Sequence, residues 1–171
     1  MSFAPHDISV IQYLTESYPV YVDAKGADFV QKQIEDITLT YLVYPDNIHA
    51  HIFVSWLHPF KEHRLIVIGD QGMLVFEDNL KTDKLRLYPK GYYRNNGSFK
   101  KFEGDFESIN YDDAQPLEEE QKHFFDCIEQ NKRPLTDGLH GLEVLEILEK
   151  AQIRLRNYVD EFPIREKALS L

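Results

Sequence analysis

The chain has 171 residues, of which 43% are hydrophobic and 13% are aromatic, so one domain with its own core is expected and general disorder is excluded. Its formal net charge is −10, with 19 basic residues against 29 acidic ones, which argues against binding to nucleic acid or to an anionic membrane surface. A single cysteine, no apolar run as long as a membrane span and no signal-peptide pattern lead us to expect a cytoplasmic protein.

The first predicted element is a helix. Pro5 suits its first turn, where a missing N–H costs nothing, and Ile8, Ile11 and Leu14 form an apolar stripe at helical spacing. The stripe ends near Glu16, which we take as the end of the helix.

The next seventy residues alternate between apolar and polar positions, which predicts strands. The clearest runs cover residues 20–24, 37–43, 48–56, 65–68 and 73–76. The last two runs are joined by Gly69-Asp70-Gln71-Gly72, a turn signal that predicts a hairpin.

Residues 89–116 are irregular and contain the turn signal Asn95-Asn96-Gly97, so we expect a long loop or a weak hairpin that covers a site. A helix follows over about 117–131, with Phe124, Phe125 and Ile128 facing inward.

The last predicted helix is capped by Thr136 or Asp137. The apolar face expected for it comprises Leu142, Leu145, Leu148 and Leu155.

Together these elements predict an α+β fold: one large antiparallel or mixed open sheet with helices packed on one face, and no Rossmann domain. We expect a single domain over residues 1–171, with a core from about 4 to 158 and a peripheral tail over 159–171.

One face of the predicted sheet is mixed in character. On the 37–43 run the apolar, core-facing side is expected to hold Leu39 and Tyr41, while Leu42 opposes it, and on the next run His49 and His51 oppose the apolar side. An open, half-apolar face predicts a partner, most simply a second copy of the chain in a homodimer. The alternative is that both faces are covered within the chain.

Short segments spread over residues 4 to about 155 together resemble the C-terminal domain of the glucose–fructose oxidoreductase/inositol dehydrogenase/MocA (Gfo/Idh/MocA) family. The matching residues are Ala4-Pro5-His6-Asp7-Ile8-Ser9; Gly26; Ile34-Glu35-Asp36; Ser55-Trp56-Leu57 with Pro59, Lys61 and Arg64; Val67-Ile68-Gly69 with Gly72; Pro116-Leu117, Glu120, His123-Phe124 and Cys127-Ile128; and Arg133-Pro134-Leu135-Thr136-Asp137-Gly138. The first and fourth segments look most like the branch that acts on nucleotide-linked N-acetylated amino sugars, such as UDP-N-acetylglucosamine 3-dehydrogenases and related UDP-sugar acid oxidases.

The resemblance implies a catalytic role for His6. In the family, a His at the start of the linker helix follows an Asp by four positions, and both face the sugar carbon that is oxidised. An imidazole suits the proton-transfer step because it exchanges protons near neutral pH. This sequence departs from the pattern with Ser2 in place of the Asp. From the residues alone, His6 reads equally well as a helix-start residue with a satisfied hydrogen bond.

The resemblance implies NAD(P) for the complete family enzyme, but the catalytic Lys and the glycine-rich phosphate turn belong to a nucleotide-binding domain that this sequence lacks. The Gly69–Gly72 segment reads as a hairpin turn. We therefore expect no cofactor binding and no dehydrogenase activity from this chain alone. Met1 falls close to the family's domain junction, which fits a truncated reading frame, a split gene or a domain expressed on its own.

Lys61 and Arg64 are the candidate substrate-binding residues, because two basic groups at a strand end can hold a pyrophosphate. The alternative is a solvated turn.

Two histidine-containing pairs and the single cysteine are weaker candidates. His49 with His51, and His123 with Cys127, could each supply two metal ligands, but neither pair has a third nearby, so we expect no metal site. Cys127 is expected to be a buried thiol and not a nucleophile.

The function predicted from these observations is that of the substrate-binding and dimerisation domain of an NAD(P)-dependent sugar dehydrogenase, with a sugar or UDP-sugar as substrate. Two alternatives remain open. The chain could be a non-catalytic sugar-nucleotide-binding or scaffold protein, or it could complete the site of a separate nucleotide-binding polypeptide.

Overall fold

The computed structural model describes residues 4–60, 62–112 and 114–161, with side chains described up to Tyr158. The chain forms two compact units, Met1–His58 with His123–Leu171, and Pro59–Lys122. No helix within the described ranges has the length and apolar character needed to cross a membrane.

The first unit is a helix-on-sheet layer. Its elements are α1 (Ala4–Thr15), β1 (Tyr21–Ala27), β2 (Ile37–Tyr44), a 3-10 turn (Pro45–Asn47), β3 (Ile48–Ser55), the second part of α2 (Pro116–Glu129) and α3 (Gly138–Glu161). The strands form an antiparallel sheet in the order β1-β2-β3. Its core joins α1 and α3 to one face of this sheet and contains Ala4, Ile8, Ile11, Val22, Ala24, Leu42, Tyr44, Ile52, Val144, Ile147, Ala151 and Leu155.

The buried side of β2 is the reverse of the one expected from its sequence. Thr38 and Thr40 are buried, whereas Leu39 and Tyr41 are 44% and 39% exposed. The register explains this reversal, because Thr40 lies opposite Ala24 of β1 and Ile52 of β3. Paired residues point to the same side of a sheet, so the neighbouring strands decide which side of β2 meets the helices.

The inward faces of α2 and α3 also differ from the prediction. Phe124, Phe125 and Ile128 are more than half exposed, and Leu142 and Leu145 are 52% and 63% exposed. The buried residues are Cys127 of α2 and Val144, Ile147, Ala151 and Leu155 of α3. Of the face predicted for α3, Leu155 is thus confirmed, and Leu148 packs partly buried against the core. Both helices carry apolar residues on more than one side, so helical spacing alone did not identify the packed side.

The second unit is made of short antiparallel strands. They are β4 (Arg64–Ile68), β5 (Met73–Glu77), β6 (Leu85–Tyr88), β7 (Lys90–Asn95), β8 (Ser98–Glu103) and β9 (Glu107–Ser108), followed by the first part of α2. One sheet has the order β4-β5-β6-β9, and β7 pairs with β8.

Both turn signals lie where the sequence predicted them. The Gly69 N–H donates to the Gly72 carbonyl at 2.9 Å in the β4–β5 turn. In the β7–β8 turn, Asn96 and Gly97 have φ of 49° and 81°, values that Asn and Gly tolerate best. Of the two structures expected for residues 89–116, the hairpin is thus the one observed.

The α+β class, with antiparallel strands and helices on one face of the first sheet, is confirmed. Where one large sheet was expected, the strands of the described residues pair as sheets of three, four and two strands. Pro59 and Pro89 fall in the connections between these sheets. Proline has no N–H to donate to a ladder, so connections and strand ends are where it is tolerated.

Candidate functional site

His6 lies in the first turn of α1, in the first unit. Its neighbours Ala4 and Ile8 are buried in the core, which fixes the helix and leaves the imidazole exposed on its outer side. His6 makes no hydrogen bond or ion pair to any residue that the structure describes, so the alternative of a satisfied helix-start hydrogen bond gains no support there. Ser2 lies outside the described residues.

Arg64 is the first residue of β4, in the second unit. Its guanidinium lies 3.1 Å from the Glu62 carboxylate and 3.8 Å from that of Glu77. The Arg64 and Glu62 side chains are close to half exposed, and such ion pairs are weak enough for an incoming anion to exchange with them. Lys61, the other candidate, lies outside the described residues.

His49 and His51 share the exposed side of β3. His49 accepts a hydrogen bond from the Tyr41 hydroxyl at Nδ1, at 2.5 Å, and its Nε2 donates to Asn47 Oδ1 at 3.0 Å, which together fix the ring tautomer. No set of three or more metal-binding side chains lies together among the described residues.

His123 and Cys127 stack one turn apart on α2. The Cys127 thiol is buried and lies 3.6 Å from His123 Nε2. The same nitrogen accepts a hydrogen bond from the Leu135 N–H at 3.1 Å, which ties the helix to the segment after it. The predicted burial of the Cys127 thiol is confirmed, whereas His123 is only half-buried.

One pairing near His6 was not anticipated from the sequence. The Ser9 hydroxyl and His140 Nε2 form a hydrogen bond of 2.8 Å, and Gln12 Nε2 donates to Glu143 Oε2 at 3.2 Å. These contacts join α1 to the start of α3. Because the partners are 131 residues apart, no local sequence signal could have revealed them.

The start of α3 follows from a local signal. Asp137 Oδ1 accepts hydrogen bonds from the N–H groups of Leu139 and His140, both at 3.0 Å. Of the two capping candidates, Asp137 is therefore the cap, and it orients the first turn that carries His140.

Residues 1–75 match a family model described as the GFO/IDH/MocA C-terminal domain. No curated protein matches the chain.

Several solved structures share the fold of this chain. UDP-N-acetylglucosamine 3-dehydrogenase from Acidithiobacillus ferrooxidans is 18% identical with a TM-score of 0.73, over 91% of this chain and 48% of that one. Aldose-aldose oxidoreductase from Caulobacter crescentus is 19% identical with a TM-score of 0.65, over 90% and 44%. An NAD-binding protein from Listeria innocua is 16% identical with a TM-score of 0.67, over 91% and 48%.

The chain spans about half the length of these structures. At these low identities, the matches establish only that the fold is shared. The predicted resemblance to the C-terminal domain of the Gfo/Idh/MocA family is thereby confirmed, by the family model over residues 1–75 and by the fold over the described chain.

Proposed function

We propose that this chain supplies the substrate-binding and subunit-pairing half of an NAD(P)-dependent sugar dehydrogenase that acts on a nucleotide sugar, and that it is inactive alone. The observation that carries the proposal is the fold shared with UDP-N-acetylglucosamine 3-dehydrogenase, in which 91% of this chain corresponds to 48% of that protein. The name of that neighbour supplies the proposed substrate class.

His6 is the proposed proton acceptor. It lies in the first turn of a helix whose position is fixed by the buried residues Ala4, Ile8 and Ile11, so its backbone is well held while its ring is exposed. A general base needs this combination, because the ring must reach the substrate hydroxyl without first sampling many conformations.

Arg64, together with Lys61, is proposed to bind the pyrophosphate of the nucleotide sugar. A guanidinium can hold two phosphate oxygens at once through its planar fork of donors. The carboxylates of Glu62 and Glu77 hold Arg64 in place until a more strongly charged anion displaces them.

The described residues do not fit a nicotinamide cofactor. A dinucleotide site needs a glycine-rich turn from a strand into a helix, where the helix N–H groups meet the pyrophosphate. The one connection from a strand to an α-helix among the described elements, residues 109–115, contains no glycine, and all named strand pairs are antiparallel. A nucleotide-binding domain outside these residues, in the same protein or in another, is the proposed source of the cofactor.

A second candidate is that the chain completes the active site of a separate nucleotide-binding polypeptide. Large apolar side chains on the helices of the first unit are more than half exposed, which favours a partner that covers them. They are Tyr13, Leu14, Phe124, Phe125, Ile128, Leu139, Leu142, Leu145 and Ile153.

Pairing of two copies is proposed to use the uncovered face of the β1-β2-β3 sheet. Leu39, Tyr41 and Phe53 are exposed there, and the register places Leu39 beside Phe53 and Tyr41 beside His51. A two-fold axis through this face would bring the same apolar surface of each copy together.

The test is a calorimetric titration of the purified chain with UDP-N-acetylglucosamine. We expect measurable binding that weakens about tenfold in Arg64→Gln, because the variant loses a charge-assisted, bidentate contact. Arg94→Gln is the matched control, because Arg94 is an exposed arginine of β7 and should leave the affinity unchanged.

A parallel titration with NADH, followed by nicotinamide fluorescence, should show no binding with or without the sugar nucleotide. Micromolar NADH binding would overturn the claim that the chain lacks a cofactor site. Sugar-nucleotide binding that is insensitive to Arg64→Gln would refute the role of Arg64, and no binding at all would refute the substrate class.

A further inference from the structure

A groove of about 530 Å³ lies in the first unit, where the outer side of α1 meets the start of α3. Its lining residues come from α1 and the segment after it, from the α2–α3 connection and from the first turns of α3. They are Ser9, Val10, Gln12, Tyr13, Glu16, Ser17, Tyr18, Leu135, Thr136, His140 and Glu143. His6 is not among them.

The groove is acidic. Glu16 and Glu143 line it, and none of its lining residues is Lys or Arg. Arg133 is bound elsewhere: its pKa is raised chiefly by its hydrogen bond and ion pair with Asp137. Glu143 raises the Arg133 pKa to a smaller extent. The guanidinium is therefore already engaged by Asp137, and the Glu143 carboxylate has no ion pair with a described residue.

Gln12 is the second unusual feature of the groove. Its side chain is 5% exposed, and although its Nε2 donates to Glu143, its Oε1 is buried without a hydrogen-bond partner among the described residues. A buried acceptor without a donor costs about 1–3 kcal/mol. A ligand donor that reaches Oε1 would recover this loss while Nε2 keeps its bond to Glu143.

The remaining walls suit the stem and charge of an alkylamine. Tyr13 and Tyr18 contribute aromatic rings, whose faces attract cations. The Tyr18 ring already attracts one cation, since Lys150 Nζ lies 4.8 Å from its centroid. His140 is held by its hydrogen bond to Ser9, which keeps its ring in a fixed position in the wall.

We propose that this groove binds a primary ammonium group on an aliphatic stem, with Glu143 and Gln12 Oε1 as its acceptors and Glu16 as a second anion. The ligand is either a free aliphatic amine or the lysyl side chain of another protein, because both present the same chemistry.

The proposal is tested by calorimetric titration of the full chain with 1,5-diaminopentane and with Nα-acetyl-lysine methylamide, and 1,5-pentanediol serves as the neutral control. The side-chain amide of Gln12 is followed by NMR in the same titrations. We expect at least one amine to bind and to shift the Gln12 amide signals, and the diol to do neither. Binding of the diamine alone assigns a free amine, binding of the lysine derivative alone assigns a lysyl side chain, and binding of both supports their shared ammonium chemistry.

Glu143→Gln should weaken amine binding about tenfold, because it removes one charge-assisted contact. Glu149→Gln is the matched control: Glu149 is an exposed residue of the same helix outside the groove, so the variant loses the same charge without the contact. The exposed Glu16→Gln provides a second variant if Glu143→Gln fails to fold. The proposal is overturned if neither amine binds, if the diol binds equally well, or if the groove and control variants weaken binding to the same extent.

Discussion

Gly26 of β1 is the position where a single methyl group should be most costly in the first unit. A Cβ built there would lie 2.7 Å from the Ile37 carbonyl oxygen, 3.0 Å from Leu155 Cδ2 and 3.3 Å from Glu35 Cγ. The closest of these atoms belongs to the backbone of β2, which is paired with β1 along its length, so it cannot move alone. Overpacking of this kind costs about 1–3 kcal/mol.

We expect Gly26→Ala to lower the free energy of unfolding by about 2 kcal/mol, since the clash exceeds the gain of about 0.4–1 kcal/mol from a less flexible unfolded chain. For a chain of this size that corresponds to a fall in Tm of about 4–8 °C. Urea denaturation followed by circular dichroism measures it.

Gly141→Ala is the matched control and should have the opposite sign. Gly141 lies in α3, and a Cβ there meets no atom within 4 Å. Alanine in a helix is favoured over glycine by roughly 0.5–1 kcal/mol, so this variant should be more stable than the wild type. If Gly26→Ala were neutral or stabilising, the close approach of the Ile37 carbonyl oxygen and Leu155 to Gly26 would be wrong.

Two further variants test buried and exposed features of the first unit. Tyr44 is 1% exposed and its hydroxyl has no partner among the described residues. Tyr44→Phe should therefore leave the free energy of unfolding unchanged or raise it by up to about 1 kcal/mol. A clear decrease in that free energy would mean that the hydroxyl is hydrogen-bonded. Burial, with a smaller contribution from Tyr18, raises the pKa of Tyr44 from 10.0 to about 12. The contribution of the neutral phenol to the free energy of unfolding is therefore complete below pH 10 and is lost as the pH rises from 10 to 12. Alkaline denaturation of Tyr44→Phe should no longer show this loss. Leu39→Lys places a charge on the exposed face of the sheet and should convert the proposed dimer to a monomer, as measured by light scattering. Ile153→Lys, on the exposed side of α3, is the control and should not. A monomeric wild type would refute pairing through the sheet.

The candidate site was only partly accessible to sequence reasoning. His6 and Arg64 were identified because short segments around them resemble a known family, and the structure places His6 on an exposed helix turn and Arg64 in an ion-paired strand end. The acidic groove was not anticipated, because Ser9 meets His140 and Gln12 meets Glu143 across 131 residues of sequence.

The amino-acid sequence by itself determined the features that depend on a few neighbouring residues. Alternation of period two located the main strands, Asn96-Gly97 and Gly69–Gly72 located two turns, and the capping candidates Thr136 and Asp137 located the start of α3. These signals are local, because backbone preferences and capping act over two to four residues.

Only the tertiary structure decided which sides of these elements are buried. Thr38 and Thr40 are covered while Leu39 and Tyr41 are open, and Val144 and Ile147 are covered while Leu142 and Leu145 are open. In each case both sides of the element carry residues that a core can accept, so the choice depends on strand register and on helix packing between segments far apart in the chain.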